Sequence, residues 1–245
     1  MTENVRLRRQ IALTVFGISF LAWILMLTGH HSHAHETADS IRTLVAMSLA
    51  SETLPAWFIM IVAMMAPTLI SPLQHVWERS FRRRRARAIG LFALGYVSVW
   101  MLAGAIILLV KSAWSVFLSD SPLIALMGFL FAIIWQCSPV KQSCLNRNHE
   151  HSGLRAFGWA ADADALRFGM NHGLWCIGSC WVLMTLPMLL TQGHFAAMGL
   201  VTFLMFSESL DRPNLPRWRL RGPRKLFAIV KEQGRTIFGQ RVTSF

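Results

Sequence analysis

Long uninterrupted runs of apolar residues dominate the chain, and short polar stretches separate them. Six runs stand out, at residues 11–28, 54–73, 89–113, 122–137, 170–190 and 194–207. Most approach the ~20 residues that a helix needs to cross the hydrocarbon core of a bilayer, although the fourth and sixth are short. Continuous runs predict helices rather than the alternating ~10-residue strands of a barrel. The pattern therefore predicts an all-α, polytopic transmembrane bundle of about six membrane-spanning helices.

Composition agrees with this pattern, because 54% of the residues are hydrophobic and only 15% are charged. A soluble domain of this length is less apolar. The first run resembles a signal peptide, but it is longer than a usual apolar signal segment and no small-residue cleavage site follows, so we interpret it as a retained helix. We divide the chain into a basic cytoplasmic N-terminus (1–10), a transmembrane domain (11–208) and a basic cytoplasmic tail (209–245). Residues 138–168 are predicted to be a loop, and residues 226–238 either an interfacial helix or a frayed tail.

The net charge of +12 is distributed unevenly along the chain. If six helices alternate from a cytoplasmic start, all lysines and arginines except Arg42 and Lys111 lie on the inside. This positive-inside bias predicts that both termini are cytoplasmic, in a cell inner membrane, and it explains the charge without nucleic acid. The arginine run at 82–85 is interpreted as a topology signal that faces anionic lipid headgroups.

The fifth run carries the most informative pattern, since His172, Cys176, Cys180 and Met184 follow one another at intervals of four. In a helix this spacing places each side chain one turn from the next on the same face. Imidazole, thiolate and thioether suit Cu(I), and without the thioether they suit zinc. The alternative is that methionine fills gaps and buried cysteine behaves as a small hydrophobe. We predict a Cu(I) site with His172, Cys176 and Cys180 as its core and Met184 as a weak ligand.

The predicted topology places all four cysteines on the cytoplasmic side. A reducing compartment keeps thiols free, so structural disulfides are not expected. Cys137 and Cys144 are candidates for a third thiol of the metal site. The alternative is that they are inert thiols near an interface.

Two further sets of residues are candidate metal ligands. Met60 and Met64 stack on one face of the second helix, before Pro67, which frees a carbonyl and kinks the helix. Their thioethers either pass Cu(I) through the bilayer or only pack. The first external loop contains His30, His31, His33 and His35, which form either a capture site for Cu(II) or Zn(II) or a solvated polar loop. Glu208 is either a ligand or a charge partner of Lys141.

Several catalytic and nucleotide-binding motifs are missing from the sequence. It contains no His-Glu-x-x-His, no Gly-x4-Gly-Lys, no Gly-x-Gly-x-x-Gly and no Cys-x-x-Cys. The first two mark zinc proteases and phosphate-binding loops, and the last marks a redox pair. The sequence therefore predicts that the protein is not an enzyme.

Five segments together resemble a known family of bacterial integral membrane proteins. They are 63–67 (Ala-Met-Met-Ala-Pro), Gly95–Tyr96 with Trp100, Pro139-Val-Lys141 followed by Cys144-Leu145, 166–169 (Leu-Arg-Phe-Gly), and 172–184, which contains Cys-Ile-Gly-Ser-Cys-Trp. The family is described as a predicted metal-binding domain of unknown function (domain 2182), and one member is assigned as a copper chaperone for a tyrosinase. The resemblance covers residues 50 to 208 and implies copper handling, with a copper-dependent oxidase or another cuproprotein as the partner.

Two positions depart from the pattern of that family. Ser179 and Asn148 stand where the pattern has cysteines, so two soft ligands are missing. The departures imply that the site is either weakened or retuned by His149 and His151.

The leading hypothesis is a copper-binding membrane protein that delivers the ion to a cuproenzyme or transports it. One alternative is a structural or assembly subunit, or a small-solute transporter, in which cysteine and methionine only pack. Another is a membrane thiol oxidoreductase, although the cysteine pair that secreted substrates need outside is missing. The sequence leaves the oligomeric state undetermined.

Overall fold

A computed structural model describes residues 2–29, 53–117, 122–150, 153–155, 157–190, 193–211 and 213–219 of the chain. These residues form helices and connecting turns with no strand among them, which confirms the all-α prediction for this part of the chain. The helices are α1 (Thr2–Gly29), α2 (Thr53–Met65), α3 (Ile70–Arg79), α4 (Arg85–Phe117), α5 (Pro122–Cys137), α6 (Pro139–Asn148), α7 (Gly158–Thr185) and α8 (His194–Ser209).

Four helical stretches are long and apolar enough to cross a membrane: Arg6–Thr28, Leu54–Arg79, Arg85–Lys111 and Gly158–Leu189. The helices α5 and α8 contain 16 residues each. At 1.5 Å per residue they reach about 24 Å, which is less than the ~30 Å of a hydrocarbon core. Six crossings, cytoplasmic termini and the domain limits therefore stay predictions.

The predicted break at Pro67 is observed as a 3-10 turn, Ala66–Leu69, between α2 and α3. Proline has no N–H group and its ring clashes with the preceding turn, so a regular helix cannot continue through it. The turn follows Met65 directly. It therefore interrupts the regular α-helix next to Met65, which lines the candidate site.

The helices α4 and α7 pack with their backbones in near contact. A Cβ atom on Gly95 would lie 3.0 Å from the backbone nitrogen of Met170, and one on Gly169 would collide with the carbonyl of Phe92. Glycines allow membrane helices to approach this closely. The approach brings Tyr96 of α4 against the middle of α7, where the candidate ligands lie.

Ion pairs join helix ends at one end of the bundle. Arg8 binds Glu78 at 2.9 Å, which joins α1 to α3, and Arg84 binds Asp162 at 2.5 Å, which joins the start of α4 to the start of α7. The end of α8 is joined to α6 through Glu208. The helix ends that the sequence predicts to be cytoplasmic therefore lie together.

The stretch predicted as a loop, residues 138–168, is mostly helical, so that prediction was wrong. It contains α6 and the first turns of α7. The side chain of Ser138 accepts a hydrogen bond from the backbone N–H of Val140, and Pro139 occupies the first turn. Both features favour the start of a helix.

Candidate metal centre

A cavity of about 80 Å³ lies where α6, the middle of α7 and the ends of α3 and α8 meet. Two chemically different sets of side chains line it. We call Met65, Cys176, Cys180 and Met205 the sulfur wall, and Asn148, His149, Glu208 and Ser209 the polar wall. The lining of the candidate site therefore combines soft sulfur groups with hard oxygen and nitrogen groups.

Three sulfur atoms of the sulfur wall are in contact. The Sγ atom of Cys176 lies 3.8 Å from the Sγ of Cys180 and 3.9 Å from the Sδ of Met65. All three side chains are buried. Two sulfurs at this separation can share one ion at the ~2.3 Å of a metal–thiolate bond. The predicted pairing of Cys176 with Cys180 is thus present, and Met65 joins it from another helix.

Weak hydrogen bonds hold the two thiols. The thiol of Cys180 donates to the carbonyl of Cys176 at 2.7 Å, and the hydroxyl of Ser179 donates to the same carbonyl at 2.8 Å. The hydroxyl of Tyr96 lies 3.3 Å from the Sγ of Cys176. Thiols are weak donors and acceptors, so a metal ion displaces such bonds at small cost.

His172 lines the same cavity but sits among aromatic rings. Its ring centroid is 6.0 Å from that of Phe92, 5.9 Å from Tyr96 and 6.2 Å from Phe168. Within the described residues, no three His, Cys, Asp or Glu side chains are arranged to hold a metal. Beyond Cys176 and Cys180, the soft side chains that line the cavity are the thioethers of Met65 and Met205.

The other predicted methionine ligands lie in the core of the bundle. Met60, Met64 and Met184 are buried in one apolar cluster with Cys176 and Cys180. The cavity wall contains Met65 and Met205 in their place. The structure thus brings these thioethers near the thiols without placing them in the cavity.

Cys137 and Cys144 are free thiols, as are Cys176 and Cys180. Cys144 packs against Gly178, where a Cβ atom would lie 2.7 Å from its sulfur. Burial raises the pKa of the Cys144 thiol, against the opposing charge of Arg147. Cys137 is half-buried at the end of α5. The side that α6 turns to the cavity carries Asn148 and His149 instead of a thiol.

The histidines of the predicted external site, His30, His31, His33 and His35, lie outside the described residues, as does His151.

Glu208 of the polar wall is the charge partner of Lys141. The two charged groups are 2.7 Å apart, and their side chains are 0% and 4% exposed. Lys141 also donates to the Oε1 of Gln136 at 2.5 Å, and the amide of Gln136 donates to Glu208. Buried ions are stable only when they are paired and hydrogen-bonded, as here. The alternative role of Glu208 that the sequence left open is thus decided in favour of the ion pair.

Both positions that depart from the family pattern, Asn148 and Ser179, line the cavity. The hypothesis that His149 replaces the missing ligands meets a difficulty, because both its ring nitrogens face backbone carbonyls. Nδ1 lies 2.8 Å from the carbonyl of Leu145, and Nε2 lies 3.1 Å from that of Ser209. His149 therefore ties α6 to the end of α8.

Sequence reasoning missed three residues of the site: Met65, Met205 and Tyr96. Met65 directly follows the predicted Met64 and is the last residue of α2 before the 3-10 turn, so the four-residue spacing from Met60 did not select it. Tyr96 is the only tyrosine in the chain, which was an available signal. Met205 shares its run with Met198, seven residues before it, and no local pattern distinguishes the two.

A family model described as "PpoB2: Copper chaperone" matches residues 54–221, which is well over half of the chain. The matched segment contains the whole cavity. No curated protein matches the chain, and no solved structure matches it.

Proposed function

Since the chain belongs to the PpoB2 copper chaperone family, we propose that it is a membrane-embedded carrier that binds Cu(I) at Cys176 and Cys180. The observation that carries the proposal is the contact of the Cys176 sulfur with Cys180 at 3.8 Å and with Met65 at 3.9 Å. Two thiolates and a thioether make a set of only soft ligands. Such a set favours Cu(I), which binds thiolate and thioether sulfur.

Copper is favoured over zinc by the composition of the cavity. A structural zinc site takes four ligands from cysteine, histidine and carboxylate side chains. Here the cavity offers two thiols, while Glu208 is bound to Lys141 and the ring nitrogens of His149 face carbonyls. The thioethers of Met65 and Met205, which complete the sulfur wall, are ligands for Cu(I).

The carrier passes its ion to a cuproprotein and performs no chemistry of its own. Four apolar helices that are long enough to span a bilayer support a location in the membrane, and the basic residues support the inner membrane with the cavity on the cytoplasmic side. The recipient is therefore a copper-dependent oxidase or another cuproprotein that receives Cu(I) by exchange of sulfur ligands.

The test is a Cu(I) titration of detergent-purified protein against a chromogenic Cu(I) chelator under reducing conditions. We expect about one Cu(I) per chain, and in Cys176→Ser an affinity lower by at least about 100-fold, or ~2.7 kcal/mol. The matched control is Cys137→Ser, which removes a thiol that does not line the cavity. Its affinity is expected to stay within about twofold of the wild type, or ~0.4 kcal/mol.

Equal Cu(I) affinity in Cys176→Ser and Cys137→Ser would overturn the proposal. So would a wild-type protein that binds no Cu(I) while Cys176 and Cys180 cycle between dithiol and disulfide. The second result would instead favour a membrane thiol oxidoreductase.

A further inference from the structure

The core of the bundle is rich in methionine. One apolar cluster contains nine of the chain's 13 methionines. Six of them are fully buried and three are packed against these: Met60, Met64, Met65, Met184, Met198 and Met205, with Met26, Met101 and Met188. The same cluster contains Cys176 and Cys180, so the sulfur wall is continuous with the methionine core.

Packing alone does not explain this distribution. Leucine and methionine have similar volumes and usually substitute for each other at low cost. Yet Leu183 is the only leucine among the fully buried members of the cluster, as far as the described residues go. Leucines instead cover the outside of the bundle, for example Leu94, Leu102, Leu126, Leu130, Leu174 and Leu200. Thioethers are thus concentrated inside, where they are shielded from lipid.

The methionine core extends along the bundle axis away from the cavity. On α7, Met184 lies eight residues beyond Cys176, and on α8, Met198 lies seven residues before Met205. At 1.5 Å per residue these separations correspond to about 10–12 Å along the helix axes. On α2, Met60 lies five residues before Met65, again towards the end of the bundle that is away from the cavity. Methionines from three helices therefore continue the sulfur lining beyond the cavity, towards the opposite end of the bundle.

We propose that the methionine core is a conduction path that brings Cu(I) through the bundle to the sulfur wall. The inference rests on the proposed function, because Cys176 and Cys180 are the end of the path. Cu(I) would move by exchanging one thioether for the next while its oxidation state stays unchanged. Methionine suits this role because it is flexible, uncharged and a soft ligand that binds more weakly than a thiolate. The thiolates then retain the ion.

A passage through neutral ligands moves one net positive charge across the bilayer. A membrane potential that is negative at the cavity end would drive the ion inward, with ~2.3 kcal/mol per 100 mV. The path and the cavity therefore make an electrogenic route whose end point is a trap.

The experiment uses the full chain in vesicles of phosphatidylethanolamine and phosphatidylglycerol that contain bathocuproine disulfonate, a coloured Cu(I) chelator. Cu(I) is added outside with ascorbate, and its entry is followed by absorbance. The variant Met60→Leu/Met184→Leu/Met198→Leu removes three thioethers that lie outside the cavity wall. We expect its entry rate to fall by at least about tenfold, which is ~1.4 kcal/mol of barrier. Its Cu(I) affinity in detergent should stay within about threefold, or ~0.7 kcal/mol.

The matched control is Met127→Leu/Met170→Leu, which makes the same replacement at side chains that are 60% and 40% exposed and lie outside the cluster. It should conduct at the wild-type rate. If the triple variant folds poorly, the single variant Met184→Leu is used in its place, and we expect an intermediate rate of entry. The conduction path is overturned if the triple variant and the control conduct at equal rates, or if the wild type shows no protein-dependent entry of Cu(I). The proposed function stands in both cases as long as Cys176-dependent binding persists. Loss of that binding from the wild type would overturn the proposed function as well.

Discussion

The two walls of the cavity differ in how firmly their side chains are held. Sulfur atoms in the sulfur wall contact one another at 3.8 and 3.9 Å, and Tyr96 meets Cys176 at 3.3 Å. In the polar wall, Glu208 meets Lys141 at 2.7 Å, and His149 meets a carbonyl at 2.8 Å. Short bonds to charged groups are stronger than contacts of a thiol. From this difference we expect the sulfur wall to bind the ion and the polar wall to keep α6 in place.

The largest expected effect comes from breaking the buried ion pair. Lys141→Met leaves the carboxylate of Glu208 buried without its charge partner, which should lower the free energy of unfolding by ~3–5 kcal/mol. The double variant Lys141→Met/Glu208→Gln removes both charges and should recover most of this loss. Unfolding of detergent-solubilised protein by sodium dodecyl sulfate, followed by circular dichroism, measures both. A single variant as stable as the wild type would show that the polar wall does not hold α6.

The next effect concerns His149. His149→Ala removes an imidazole whose neutral form donates its one N–H to the carbonyl of either Leu145 or Ser209, and leaves that part-buried carbonyl without this donor, so the free energy of unfolding should fall by ~2 kcal/mol. Cu(I) affinity should be unchanged, because both ring nitrogens face backbone carbonyls. A large fall in affinity would mean that His149 is a ligand, and that ion binding is not confined to the sulfur wall.

Replacing one thioether of the sulfur wall has a smaller but more specific effect. Met65→Leu keeps the volume and removes the sulfur, so Cu(I) affinity should fall about tenfold, or ~1.4 kcal/mol. Stability should change by less than ~1.5 kcal/mol. The comparison is made with Met127→Leu in the same chelator titration. If both variants bind Cu(I) like the wild type, two thiolates alone hold the ion.

The smallest effect is expected at Tyr96. Tyr96→Phe removes the hydroxyl that lies 3.3 Å from the Cys176 sulfur. A hydroxyl stabilises a metal-bound thiolate more than a neutral thiol, so Cu(I) affinity should fall by two- to fivefold, or about 0.4–1 kcal/mol. The dissociation rate of Cu(I), measured by transfer to excess chelator, should rise by the same factor. A slower release would place Tyr96 outside the set of residues that stabilise the bound ion.

Hydropathy predicted the helices whose apolar residues are continuous. The run at 122–137 coincides with α5, and the run at 194–207 lies within α8. Hydropathy did not predict α6, because its sequence, Pro-Val-Lys-Gln-Ser-Cys-Leu-Asn-Arg-Asn, is polar. The burial of Lys141 depends on Glu208 and Gln136, which come from other helices. No local pattern contains that information.

Within the candidate site, the sequence predicts proximity best for residues that share one helix. The four-residue spacing of Cys176 and Cys180 is a local property, and the structure places their sulfurs in contact. The prediction chose Met64 over Met65 because Met64 follows Met60 by four residues, on one face of α2. Which residue of another helix faces a thiol depends on helix rotation and on the 3-10 turn, neither of which can be read from spacing.

Gly95 and Gly169 fix the separation of α4 and α7 by having no side chains, and they bind nothing themselves. The Tyr96 hydroxyl consequently lies beside Cys176 because two positions, one on each helix, carry no methyl group. An alanine at either glycine would separate the helices and alter the surroundings of the thiol while every candidate ligand kept its identity. A survey that recognised copper proteins by their cysteines, histidines and methionines alone would still accept such a chain, even though the spacer that sets its geometry had been lost.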